Sequence, residues 1–403
     1  MSKKHLPLEG LRVVELGTHV AVPNAARFLA DWGAEVVKVE GLSGDAWRVV
    51  GRNQLCPILD EENPLFTLQN ANKSFISIDL KDPTGMEMFL KLIARCDIFV
   101  TNVRMKSLVK MGIDDKTLLA RFPKLVYGHF TGYGYEGPDA AKPGFDTVAY
   151  WARSGSIVDW GADGGFPFLP PTGAGDATVG SILCGGLLAA YIAAQRTGKG
   201  TLVSSSLFGS AIGYNGSYVL STQFGNQLPK DKDRPNNPLG YPYQCGDGNW
   251  LFIGIADYNG SFPKLCRVLG LEELIEDQRF NDITNVHANI DAFMPILRGA
   301  FMKKDRDTWV EEFTAADLVC GKIGHISELR TDPQALANRY IVPVTFENGE
   351  TVDMPTVPVL FGAYDESGYQ PTGAVGRDTE EVLKQIGYTE GEIRAAKEKG
   401  AVR

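Results

Sequence analysis

The chain has 403 residues, of which 44% are hydrophobic and 22% charged, with a formal net charge of −9 at pH 7. This is an ordinary globular composition, and the acidic balance excludes a general nucleic-acid-binding surface, which needs a basic face. The length exceeds one compact core and predicts roughly two or three domains.

In chain order, MSKKHLPLEG lacks the apolar run of a secretory leader. LRVVEL predicts a buried strand, PNAARFLADWG a helix with Pro23 in its first turn and Gly33 at its end, and AEVVKVE a second strand. This βαβ unit implies a parallel sheet covered by helices. The alternation continues with SFISIDL (strand), PTGMEMFLKLIARC (helix), CDIFVTNV (strand), KTLLARFP (helix) and KLVYGHFTGYG (strand entering a glycine-rich loop). Residues 177–195 predict a long helix and GTLVSSSL a strand. The apolar part of that helix, 179–194, falls short of the roughly 20 residues of a membrane span. It reads as a buried helix, and the expected location is cytoplasmic, with no membrane partner.

Beyond residue 222, QFGNQLPKDKDRPNNPLG reads as a linker or exposed loop. YPYQCGDGNWLFIGIA predicts a hairpin turning at Gly246-Asp247-Gly248. Helices follow in SFPKLCRVLG, AFMPILRGAFMKK and RDTWVEEFTAA, and TEEVLKQIGYTEGEIRAAKEKG predicts an amphipathic helix pair packed on the outside. The expected fold class is α/β, with a Rossmann-like large domain and a smaller α+β domain. The large domain spans 1–222 and is completed by 330–403; the small one spans 223–329. The six cysteines (Cys56, Cys96, Cys184, Cys245, Cys266, Cys320) form no C-x-x-C pair, so neither a zinc site nor a disulfide framework is expected.

GYGYEG at 132–137 matches G-x-G-x-x-G but is followed by PDAAKPGFD rather than a helix, so the NAD fingerprint is incomplete. No G-x-S-x-G occurs. No two histidines stand at metal-ligand spacing; His19 lies in the first βα loop, where open α/β sheets place ligands. Lys73, Lys81, Arg104, Lys106, Lys110 and Lys142 recur near strand ends and are candidates for a phosphate-binding edge, or else a solvated surface. Asp176 in GAGDATVG opens the long helix. It reads as a helix N-cap, as part of an anion cradle, or as a nucleophile made accessible by Gly173 and Gly175. The positive helix end is expected to keep it ionised, and the first-turn amides to be available for an oxyanion.

Several stretches together resemble the class III (CaiB/BaiF-type) CoA-transferases, over nearly the whole chain: LEGLRVVEL with AVPNAARFLADWGAEVVKVE, NANKSFISIDLKDPTG, DIFVTN, KLVYGHFTGYGYEGPDAAKPGFDTVAY, and GAGDATVG with TGKG. PGFDTVAYWARSG and NPLFTLQNANK are most similar to the 2-hydroxyacyl branch, which includes 2-hydroxyisocaproate and phenyllactate CoA-transferases of amino-acid fermentation. The resemblance implies that Asp176 is the catalytic aspartate and that two chains form an interlocked homodimer. It implies coenzyme A as the substrate thioester, an acyl-CoA and a small carboxylic acid as partners, and neither metal nor NAD. The CoA-contacting positions it implies are Val20, Ala21, Ile78, Asp79, Leu80, Lys81, Asn102, Val103, Arg104, Lys110, Lys142, Gly144 and Phe145. His19, Asp146, Gly173 and Gly175 would stand near the substrate. Gly41 occupies a position where many relatives carry a CoA-binding arginine, and Val20 replaces a glutamine of the formyl-CoA branch. α-Methylacyl-CoA racemases share the fold and are the alternative. Their proton-transfer histidine lies in a GHD motif, however, and here that motif reads Gly144-Phe145-Asp146.

Overall fold

The computed structural model describes residues 5–56, 63–365 and 368–403; the first four residues of the segment read for a leader lie outside these. In chain order the elements are β1 (Arg12–Leu16), α1 (Ala21–Asp31), β2 (Glu35–Glu40), α2 (Pro64–Asn70), β3 (Ser74–Ser77), α3 (Pro83–Ile93), β4 (Ile98–Thr101), α4 (Met105–Met111), α5 (Asp115–Arg121) and β5 (Val126–Thr131). After a short wide helix, Asp146–Ala152, come α6 (Ser156–Asp159), α7 (Ala174–Thr197), β6 (Leu202–Ser206), α8 (Leu207–Tyr214) and α9 (Gly216–Ser221). The rest comprises β7 (Pro242–Gln244), β8 (Trp250–Ile253), α10 (Tyr258–Leu269), α11 (Ile283–Phe301), α12 (Arg306–Ala315), β9 (Cys320–Lys322), α13 (Pro333–Ala337), β10 (Ile341–Thr345), β11 (Thr351–Pro355), α14 (Thr379–Gln385) and α15 (Glu390–Glu398).

The described chain divides into two compact units. The first comprises 1–155, 169–219 and 333–403; the second comprises 156–168 and 220–332. Residues 156–168, inside the 1–222 expected for the large domain, thus group with the second unit.

The first unit is built on a six-stranded sheet in the order β3-β2-β1-β4-β5-β6, with every pair parallel. This is the doubly wound order, in which ligands bind beyond the carboxyl ends of the strands. Helix starts are set locally: Pro83 follows the N-cap Asp82, whose carboxylate accepts the Thr84 amide at 2.7 Å, and Asp114 caps α5 in the same way. One face of the sheet is a continuous apolar layer that includes Val14, Ile76, Phe89, Phe99 and Tyr127. The apolar residues of the last two helices, among them Leu383, Ile393 and Ala396, complete this layer, leaving their charged faces outside. On α1 and α7, Gly180 permits close packing, since a Cβ there would stand 2.9 Å from the Ala21 carbonyl oxygen.

The long helix departs from the expectation of a buried one. It is long and apolar enough to cross a membrane by length and composition. It buries Gly175, Val179, Gly180, Leu183, Cys184 and Leu187 and leaves Ile182 and Ile192 exposed. Its glycines and alanines extend all round the helix, so one face serves α1 and another lies open.

In the second unit the predicted hairpin is present as β7 and β8, joined by β9 in a three-stranded antiparallel sheet. Its own core gathers Tyr243, Phe262, Phe280, Phe293, Phe301 and Trp309.

Candidate active site

The site is assembled on the first unit, where the loops leaving β1, β4 and β5 meet the start of α7. The β1–α1 loop is fixed from below by a fully buried ionic chain. The Lys38 ammonium contacts Glu15 at 2.8 Å, the Gly17 carbonyl at 2.8 Å and Asp45 at 3.0 Å. Asp45 in turn accepts the amides of His19 (3.3 Å) and Trp47 (2.9 Å). His19 is held at φ +66°, in the left-handed region that non-glycine residues seldom enter and histidine enters more often than most. From above, Asn102 both donates to and accepts from the Thr18 backbone, at 2.8 and 3.1 Å. The Asn102 amide is thus committed to positioning the loop.

Lys73, considered for phosphate binding, has a different role. Its ammonium is buried and satisfied by Glu15 at 2.7 Å, the carbonyls of Pro23 and Gln69, and Asn70. Burial, partly offset by Glu15, pushes its pKa down to about 8. A lysine so enclosed cannot reach a ligand.

Asp176 is not the helix cap. The N-cap is Gly173 at φ +74°, with no side-chain cap of its own; Asp176 is the third residue of the helix. The capping carboxylate comes from Asp146, thirty residues earlier. It accepts the Asp176 amide at 3.0 Å and the Gly173 amide at 3.2 Å, and the Gly175 amide also acts on it. The Ala174 amide is taken by the Pro171 carbonyl. The first-turn amides expected to serve an oxyanion are therefore already engaged.

Electrostatics follow from that arrangement. Asp146 places a carboxylate where the helix end is most positive. Burial and then the neighbouring Asp146 push the Asp176 pKa up to about 7, where a helix start alone would have lowered it. Burial also raises Asp146, against the pull of the three amides. Gly175 is obligatory here, since a Cβ would fall 2.2 Å from Asp146 Oδ1 and 2.6 Å from Tyr150 Cγ. A Cβ on Gly173 would stand 3.4 Å from Val20 Cγ2, so the β1–α1 loop lies against the start of α7.

The other expected positions separate by exposure. Val20, Ala21 and Ile78 are buried, and Ile78 belongs to the core, so only their backbones can meet a ligand. The Asp79 amide is spent on the Ala401 carbonyl at 2.9 Å, and Asp79 accepts the Lys81 amide. Leu80 packs against the core edge. The Val103 carbonyl accepts from buried His129. Arg104 opens α4, with Lys106 and Lys110 behind it; these three and Lys81 are exposed. No side-chain hydrogen bond or ion pair holds any of the four among the described residues. Lys142 is paired with Asp139 at 2.6 Å. Gly144 packs on Gly132, where a Cβ on either would meet the other's Cα at 2.7 Å. Phe145 is 61% exposed and faces the His19 ring at 5.5 Å. Sequence reasoning missed Asp45 and Trp47, which lie in a run without a motif, and Tyr150, which lies within PGFDTVAYWARSG but was not singled out there. Among the described residues no group of acidic, histidine and cysteine side chains is placed to hold a metal.

The doubly wound sheet thus brings together a carboxylate of raised pKa near a helix start and exposed cations at neighbouring strand ends. The sequence matches CoA-transferase family III over residues 8–379, and the chain belongs to that family. It is similar to the (R)-2-hydroxy-4-methylpentanoate CoA-transferase of Clostridioides difficile, with 39% identity over 98% of this chain and 99% of that one. It is also similar to the cinnamoyl-CoA:phenyllactate CoA-transferase of Clostridium sporogenes, with 34% identity over 95% and 94%. Among solved structures, a CAIB/BAIF family protein from Brucella suis shares 26% identity with a TM-score of 0.79, over 95% of this chain and 100% of that one. The chain is thus a class III CoA-transferase.

Proposed function

We propose that this enzyme moves CoA from an acyl- or enoyl-CoA to a free 2-hydroxy acid, with Asp176 as the covalent carrier. The ionised Asp176 attacks the donor thioester, forming an aspartyl–acyl anhydride and releasing CoA thiolate. The thiolate attacks the aspartyl carbonyl, leaving aspartyl-CoA thioester and the donor acid. The acceptor carboxylate then attacks that thioester, forming a second anhydride and freeing the thiolate. Attack of the thiolate on the acceptor acyl carbon gives the new acyl-CoA and restores Asp176. Each step exchanges one acyl bond for another.

The observation that carries this reading is the raised pKa of Asp176 beside Asp146. Burial and repulsion that disfavour the charged carboxylate favour any neutral derivative of it, protonated or acylated. The same environment makes Asp176 a stronger base than an ordinary aspartate and therefore a better nucleophile. Phe145 offers no proton-transfer group where the racemases have histidine, which supports transfer over racemisation. The named substrates of the two similar enzymes, a 2-hydroxy-4-methylpentanoate and phenyllactate, support a 2-hydroxy acid acceptor.

The open face of α7 supports a second copy as its cover. Ile182, Ile192, Ile212 and Tyr214 are exposed together with an open depression lined by Ile182, Ser206, Gly209 and Tyr214. Exposed apolar residues grouped around one depression suit an interface, which supports the interlocked homodimer as the reading of this face.

The substrate reading is tested with one acyl-CoA donor against a panel of 2-hydroxy acids, 3-hydroxy acids, dicarboxylates and oxalate. The highest kcat/KM is expected with a branched or aromatic 2-hydroxy acid; preference for a dicarboxylate or oxalate would contradict it.

A further inference from the structure

The CoA reading, on which this inference rests, places a strongly anionic nucleotide along the carboxyl edge of the sheet. At the β2–β3 end of that edge, residues 401–403 return and lie against the exit of β3. Val402 bridges Ile78 in antiparallel fashion, the Asp79 amide donates to the Ala401 carbonyl at 2.9 Å, and the Arg403 amide donates to the Ser77 carbonyl at 3.2 Å. Ala401 and Val402 are buried, so the backbone that carries Arg403 is anchored. Gly376 makes room for it, since a Cβ there would stand 3.0 Å from Ser77 Cβ and 3.1 Å from the Arg403 oxygen.

The Arg403 side chain is exposed, and its guanidinium has no hydrogen bond or ion pair among the described residues. The neighbouring cation, Lys399, is already committed to Asp82 at 3.0 Å and Thr84 at 2.8 Å. Next to this point the Ser77 hydroxyl donates to the Gly41 carbonyl at 3.3 Å. Gly41 is exposed, and a Cβ on it would meet nothing within 4 Å. The end of β2 is therefore open space without a side chain, bordered by an anchored arginine that lacks a partner. A guanidinium so placed suits bidentate binding of phosphate.

We propose that Arg403 binds a phosphate of the CoA nucleotide at the β2–β3 edge, in the open space beside Gly41. The partner is either the 3′-phosphate or the diphosphate, and the two are separated by substrate truncation.

Arg403→Ala, Arg403→Lys and the unaltered enzyme are compared in initial-rate kinetics with an acyl-CoA, its 3′-dephospho form and the acyl-pantetheine. In Arg403→Ala the KM for acyl-CoA is expected to rise about tenfold, the size of one charge-assisted contact at a wet site. The kcat and the KM of the acceptor acid should stay within about twofold, and Arg403→Lys should recover part of the loss. If the 3′-phosphate is the partner, the penalty disappears with the dephospho donor. If the diphosphate is, it persists there and disappears with the acyl-pantetheine. An unchanged KM for acyl-CoA, or a penalty that survives in the acyl-pantetheine, overturns the proposal. If the unaltered enzyme itself accepts acyl-pantetheine as well as acyl-CoA, the nucleotide-binding reading fails, and this inference with it.

Discussion

Asp146 accepts the backbone amide of Asp176 at 3.0 Å while its negative charge helps raise the pKa of the Asp176 carboxyl. One carboxylate thus fixes the start of α7 and makes the next carboxylate more basic. Asp146→Asn keeps an acceptor oxygen but removes the charge. Burial, the larger cause, remains. The acidic limb of kcat/KM should therefore move down from about 7 by up to about one pH unit. A limb that stays in place would assign the whole shift to burial.

The same shift has a thermodynamic consequence. A carboxyl with a raised pKa in the folded chain resists ionisation there. It therefore penalises the fold increasingly as pH rises from the ordinary 3.8 to about 7, and by a constant amount above that. Asp176→Asn removes the penalty. After allowance for the residue's partial exposure, the variant should be about 2 kcal/mol more stable than the unaltered protein at pH 8 and equal to it near pH 4. Urea denaturation at pH 4, 6 and 8 measures this. A difference independent of pH would contradict it.

Gly175→Ala tests the close approach. Helix propensity alone favours alanine over glycine by up to about 1 kcal/mol. Here the added Cβ would collide with Asp146 Oδ1 and the Tyr150 ring. Overpacking of this kind costs about 1–3 kcal/mol and displaces Asp176. We expect a net loss of stability and a fall in kcat of about 10²-fold, of the order reported for small misplacements of catalytic groups. A stabilised, active variant would show that the helix start is free to move.

Ile182→Glu tests the open face of α7. Ile182 is exposed on the first unit and lines the depression beside α8. If a second copy covers it, a buried unpaired charge should cost several kcal/mol at the interface. Sedimentation should then show monomers or aggregates where the unaltered protein gives dimers. An unchanged dimer would place the interface elsewhere.

Much of the frame is legible in the sequence because local signals agree. Buried-strand runs alternate with capped helices, and a βαβ alternation has few ways to form a parallel sheet. The hairpin at Gly246–Gly248 is legible for the same reason. The site was legible only in part, because its electrostatics are non-local. Nothing near Asp176 reveals that its helix is capped from Asp146, so the sequence favoured a cap and an ionised carboxylate. Lys73 and Lys81 look equivalent along the chain. The fold encloses the first around Glu15 and leaves the second in solvent. Arg403 lies 326 positions from Ser77 (403 − 77), and no periodicity or motif connects them.

The central claim, that Asp176 carries the acyl group and then CoA covalently, is tested most directly by trapping. The enzyme is incubated with an acyl-CoA and hydroxylamine, digested, and the peptide containing GAGDATVG is analysed by mass spectrometry. The account predicts inactivation dependent on acyl-CoA, with a hydroxamate on Asp176 and no modification in Asp176→Asn. Transfer of CoA that proceeds under these conditions with Asp176 unmodified would contradict it.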